Sequence, residues 1–129
     1  LTLGGATLRV YPPVGKKNQN EAGLTALCSA GSFDVLVTGD MPANTEKKLI
    51  ADYDLPRVEV LLVGHHGSKY SSCEEFLRAV QPEYAIISVG SNSYGHPTAE
   101  AIGRLEDAGA EVYRTDEQGT ILMKAEKAG

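Results

Sequence analysis

Two stretches constrain this chain more than any others. Residues 58–63, "VEVLLV", and 84–89, "YAIISV", are nearly unbroken apolar runs. A strand with one wet face alternates apolar and polar residues, whereas a run this continuous needs cover on both faces. Between them, Phe76, Ala79 and Val80 fall at helical spacing behind Ser72 and Glu75, whose separation predicts a capping box. Strand, helix and strand in this order predict a parallel pair of adjacent central strands, because only a crossover connection joins parallel neighbours.

The flanking sequence extends the pattern. "ATLRVYPPV" reads as a strand closed by Pro12-Pro13. "GLTALCSAG" and "FDVLVTGD" read as two strands in a hairpin across Ala30-Gly31-Ser32. "NTEKKLIADYD" is helix-compatible, with Asn44 or Thr45 as its cap. Thr98 caps a further helix, in which Ala101, Ile102, Leu105 and Ala108 share a face and which Gly109 ends. "AEVYRT" and "GTILMKA" predict a closing strand pair around Asp116–Gly119. Opening hairpins followed by β-α-β units define an α/β class with a mixed sheet and helices on a face. No repeat, low-complexity tract or linker divides residues 1–129, so one domain is expected.

Composition excludes several classes. A net charge of −5 argues against a broad nucleic-acid footprint while leaving room for a local basic patch. No apolar run approaches the roughly 18 residues of a membrane span. Two cysteines, Cys28 and Cys73, are too few for a disulfide framework and have no metal-ligand spacing, so they are expected to be buried or incidental thiols. The chain begins with Leu1 rather than Met, as a processed or excised chain would.

The chemistry-bearing residues collect just beyond strand ends, where layered α/β folds keep their ligands. Asp40 ends "VTGD", His65 and His66 follow the strand in "VGHHGS", and His96 lies in "SNSYGHP". All three histidines of the chain therefore lie beside glycine in such loops. Read from the residues alone, they fit a metal or general-base site, since imidazole and carboxylate suit zinc, manganese and iron. They equally fit structural hydrogen-bonding and turn-capping roles.

"VLVTGD", "VEVLLVGHHGSKYS", "PEYAIISVGSNSYGHPTAEAIGRL" and "VYRTDEQGTI", with "NEAGL" before them, occur in this order over residues 6–123. In these motifs the chain resembles the C-terminal half of a metallo-β-lactamase-fold domain of the ComEC-type competence protein family. The resemblance implies half of an αββα sandwich, a mixed sheet with helices on one face, and a divalent metal, zinc or manganese, in the intact parent. By the same resemblance, Asp40 is a metal-bridging carboxylate with a catalytic role and His65 a metal ligand. His66 would then be a catalytic group beside them, and Ser68 and His96 would hold a phosphodiester. Asn20 stands where many relatives keep a further metal-binding histidine, and it joins the substrate-binding set. The family's principal ligand motif, an H/D-x-H/D-x-D-H run, is not found in the 129 residues.

The implied activity is hydrolysis of a phosphodiester such as DNA, linked to competence and DNA uptake in a bacterial membrane-associated parent or a secreted relative. The implied partners are the N-terminal half of the same domain, DNA, and a second copy pairing through the uncovered sheet. With only two late ligands, the isolated chain is expected to be inactive. Alternatives from other classes are a catalytically silent α/β scaffold and a small module that holds an anion on the backbone amides of "SVGSNSYGHP".

Overall fold

The computed structural model describes residues 2–3, 6–11, 25–31, 33–39, 43–89, 97–119 and 121, without the side chains of residues 2, 3, 65, 66 and 118. Its strands are β1 (Thr2–Leu3), β2 (Ala6–Tyr11), β3 (Thr25–Ala30), β4 (Phe33–Thr38), β5 (Val60–Leu62), β6 (Tyr84–Ile87) and β7 (Glu111–Arg114). Its helices are α1 (Ala43–Asp52), α2 (Glu74–Val80), α3 (Ala99–Asp107) and the single turn α4 (Thr115–Gln118). The strands form one mixed sheet in sequence order. β1 to β4 are antiparallel neighbours, and β4 to β7 are parallel ones.

The α/β class with a mixed sheet is therefore as expected. β5 and β6 are parallel and adjacent, each with a strand on its other side. The β3–β4 hairpin turns at Gly31, whose φ of +61° is the left-handed conformation that a two-residue link calls for.

Register decides which residues make the core. Leu27, Leu36, Leu61, Ala85 and Val112 stand opposite one another across five strands. They belong with Leu49, Phe76, Leu77, Val80 and Leu105 of the helices to one apolar cluster. α1 packs on α2 and α2 on α3, so the three helices line one face of the sheet. The next row in register, Val10, Ala26, Val37, Leu62, Ile86 and Tyr113, points to the other face, because side chains alternate along a strand. This row is as apolar as the first but less covered: Val10 is 53% exposed, and Ala26, Val37, Leu62 and Tyr113 are half-buried.

Three local expectations are corrected. α1 begins at Ala43, so Asn44 and Thr45 lie inside its first turn rather than capping it. The Ser72–Glu75 capping box does not form: Ser72 has φ +58°, its Oγ is buried without a partner among the described residues, and Cys73 is the N-cap of α2. The N–H groups of Ser72 and Cys73 donate instead to the carboxylate of Glu46 in α1, at 2.7 and 2.8 Å. In a capping box the Ser72 N–H would donate to the side chain of Glu75; here the buried carboxyl of Glu46 takes that donor. Lastly, Arg114 leads into α4 rather than a hairpin turn, and the second closing strand lies outside the described residues except for Gly119 and Ile121.

Candidate functional site

β4, β5 and β6 are parallel, so their carboxyl ends share one edge of the sheet. Each end opens a loop singled out in the sequence: Asp40 follows β4, His65 and His66 follow β5, and His96 follows β6. Neighbouring strands lie about 4.8 Å apart, so topology alone brings the starts of the three loops within about 10 Å.

The strand ends are tied together. Thr38 Oγ1 at the end of β4 donates to the carbonyl of Leu62 at 2.9 Å. The Val63 N–H donates to the carbonyl of Ile86 at 2.9 Å. Beyond β6, Thr115 Oγ1 accepts from the Val89 N–H at 2.8 Å and donates to the Val89 carbonyl at 2.9 Å.

The residues flanking the candidates touch as well. The chain leaves β5 as a 3-10 turn over Gly64–Gly67, which carries both histidines. A Cβ on Gly64 would lie 2.9 Å from the carbonyl oxygen of Gly39, the residue before Asp40. A Cβ on Gly67 would lie 2.5 Å from the Cβ of Pro97, the residue after His96. Thr98 fastens the same junction: its N–H and Oγ1 both donate to the Gly67 carbonyl, at 2.9 and 3.1 Å. Thr98 also accepts from the Ala101 N–H at 3.2 Å, the cap that the sequence predicts.

Asn20, Asp40 and His96 lie outside the described residues, as do the side chains of His65 and His66. Among the described residues, no group of three or more His, Cys, Asp or Glu could hold a metal ion. Ser68, expected to hold substrate, is described: it is 1% exposed, and its Oγ accepts from the Tyr70 N–H at 3.2 Å. Next to it, Tyr70 is 65% exposed, and Lys69 Nζ stands 5.2 Å from the centre of its ring. The two form a cationic and aromatic rim beside the histidine turn.

Two residues that the sequence reading passed over hold this region. Glu46 is fully buried, and burial pushes its carboxyl above the usual range, against the lowering effect of its two backbone hydrogen bonds and of the Arg104 charge. Arg104 of α3 donates from Nε to the Ser72 carbonyl at 2.9 Å and from Nη2 to those of Lys69 and Ser71, at 2.9 and 2.8 Å. A signal for both was available. Glu46 shares a helical stripe with Leu49, Ile50 and Tyr53, and Arg104 shares one with Ala101, Leu105 and Ala108. A charged residue on an apolar stripe needs a buried partner.

Fold and edge together define an α/β domain with its loops gathered at the carboxyl ends of parallel strands. Competence protein ComA of Neisseria gonorrhoeae is 36% identical over 129 residues, 97% of this chain and 19% of that protein. ComE operon protein 3 of Bacillus subtilis (strain 168) is 37% identical over 108 residues, 83% of this chain and 14% of that protein. Recombination protein 2 of Haemophilus influenzae is 37% identical over 105 residues, 81% of this chain and 13% of that protein. These homologues support a ComEC-type competence family for the chain, which spans less than a fifth of the length of each. No protein-family model matches it.

Proposed function

We propose that this chain is the C-terminal portion of a metallo-β-lactamase-type, metal-dependent hydrolase that cleaves a phosphodiester during DNA uptake by its parent protein. The name of one homologue speaks of competence, that of another of the ComE operon and that of the third of recombination. The observation that carries the reading is the close approach of Gly39 to Gly64 and of Gly67 to Pro97, which brings together residues flanking the three candidate loops. The partly covered apolar row from Val10 to Tyr113 supports the rest, since half of an αββα sandwich needs a second sheet against that face.

In this reading Asp40 and His65 are metal-facing donors, Asp40 and His66 are the catalytic groups, and Ser68, His96 and Asn20 hold the phosphodiester. Two donors fall short of the three or four protein ligands of a stable site. These 129 residues therefore do not fit a closed metal centre, and no hydrolytic step is assigned to them alone. The remaining ligands belong to parts of the parent outside this sequence.

The test pairs zinc and manganese titrations with a phosphodiesterase assay on bis-nitrophenyl phosphate, in the isolated chain and in the parent. The expected result is weak binding and little turnover by the isolated chain, with turnover by the parent that Asp40→Ala and His65→Ala each abolish. A parent without metal-dependent turnover points to a silent scaffold. Tight binding and robust turnover by the isolated chain would show that the ligand set is misassigned.

A further inference from the structure

From Gly67, the last residue of the 3-10 turn, to Cys73 the chain continues without a helix or strand, yet five of these seven residues are buried. Buried irregular backbone persists only where its polar groups find partners. Here the carbonyls of Gly67, Lys69, Tyr70, Ser71 and Ser72 all accept hydrogen bonds, and the N–H groups of Tyr70, Ser71, Ser72 and Cys73 all donate them.

Ser68 takes the Tyr70 and Ser71 N–H groups within the segment, and the other partners come from two helices and the cap of one. From α1, Glu46 takes the Ser72 and Cys73 N–H groups, and the Ala43 N–H donates to the Tyr70 carbonyl at 2.6 Å. From α3, Arg104 binds three carbonyls, and Thr98, its N-cap, holds Gly67. α1 starts three residues after Asp40, and Thr98 stands two residues after His96. One segment, directly downstream of the histidine pair, is thus fastened to the helices that follow the other two candidate loops.

We infer that Glu46 and Arg104 are positioning residues: acting from two helices on the Gly67–Cys73 segment, they set where the His65–His66 turn stands relative to Gly39 and Pro97. The inference builds on the proposed site, although the clamp itself is independent of what that site binds. The geometry also says why neither residue is replaceable by a near neighbour in size or charge. Both Glu46 oxygens accept from N–H groups, so the amide of a glutamine would set its own N–H groups against one of them. Arg104 reaches three carbonyls through a planar fork that a lysine ammonium cannot reproduce. The left-handed Ser72, φ +58°, is the kind of conformation that surrounding bonds must hold in place.

The experiment compares Glu46→Gln and Arg104→Lys with Leu49→Ala, a core variant in the same helix as Glu46, all in the full 129-residue chain under conditions where each is folded. NMR of the metal-free proteins reads the ring signals of His65, His66 and His96 and the backbone amides of residues 64–67. Zinc titration, normalised to the folded fraction, reads the site. The expected result is displaced His65 and His66 signals in the two clamp variants and not in Leu49→Ala. Where the wild type binds zinc, the clamp variants should bind about tenfold more weakly, the effect typical of groups that orient ligands. Histidine signals unchanged in both clamp variants, or displaced equally by Leu49→Ala, would overturn the inference by leaving a general stabilising role. A wild type that binds no zinc, alone or in its parent, would count against the hydrolase reading, and the NMR comparison would still decide the clamp.

Discussion

Gly67 and Pro97 are packed so closely that a Cβ on Gly67 would lie 2.5 Å from the Cβ of Pro97 and 3.0 Å from its Cα. Gly67 also has φ +79°, which an L side chain rarely adopts. Gly67→Ala therefore meets both a clash and backbone strain, and should cost about 2 kcal/mol or more. Gly31→Ala is the matched comparison, with φ +61° and nothing within 4 Å of the added Cβ. It should cost about 1 kcal/mol, for strain alone. Urea unfolding of the two variants checks the ordering, and equal losses would show that the Gly67–Pro97 contact does not constrain the junction.

The two cysteines should react very differently. Cys28 is exposed and Cys73 buried. Burial first, and then the neighbouring Glu46 charge, push the Cys73 thiol up to about 11. Roughly one molecule in a thousand then carries the Cys73 thiolate at pH 8. A thiol reagent at pH 8 should modify one cysteine in the native chain and two in urea, with mass mapping placing the native label on Cys28. Rapid native labelling of Cys73 would mean that the segment Glu46 holds opens readily.

Glu46 should make stability depend on pH in the sense opposite to that of an ordinary paired surface carboxylate. Its folded pKa is raised from the reference of 4.5 by burial. The folded state therefore holds the proton more tightly than the unfolded state, and this contribution to stability is complete below about pH 4.5. It is lost as pH rises through the folded value. Glu46→Gln removes the titration, so the stability of wild type relative to the variant should fall as pH rises from about 4 upward. Urea midpoints measured side by side across that range check the sign. A difference that grows with pH would mean that the two backbone hydrogen bonds outweigh desolvation.

The less covered face of the sheet should make the isolated chain self-associate. Val10, 53% exposed, sits in register with Ala26, Val37 and Leu62, and contiguous apolar surface of this kind drives pairing. Val10→Lys and Val37→Lys should shift the chain towards monomer in sedimentation velocity. An unmodified chain that sediments as a monomer at high concentration would show that this face needs no cover.

The order of the strands was legible in the sequence, because unbroken apolar runs separated by a helical stripe leave few topologies open. The capping of α2 was not. Ser72 and Glu75 have the right spacing for a box, yet Glu75 faces solvent 3.5 Å from Lys47, and a carboxylate 26 residues before Ser72 takes the backbone donors. A local pattern can predict a cap only when no stronger acceptor arrives from elsewhere in the fold.

What the sequence by itself determined is everything carried by periodicity and adjacency: the α/β class, the parallel β5–β6 pair, the Thr98 cap, and the placing of every histidine after a strand end. Only the tertiary structure decided that Gly39 meets Gly64, that Gly67 meets Pro97, and that Glu46 and Arg104 close on one buried segment from two helices. Short-range patterns report the backbone's own preferences, which repeat every two or 3.6 residues. Contacts between residues about 30 positions apart depend on how the sheet stacks its strands and where the helices cross it, and no local spacing encodes that.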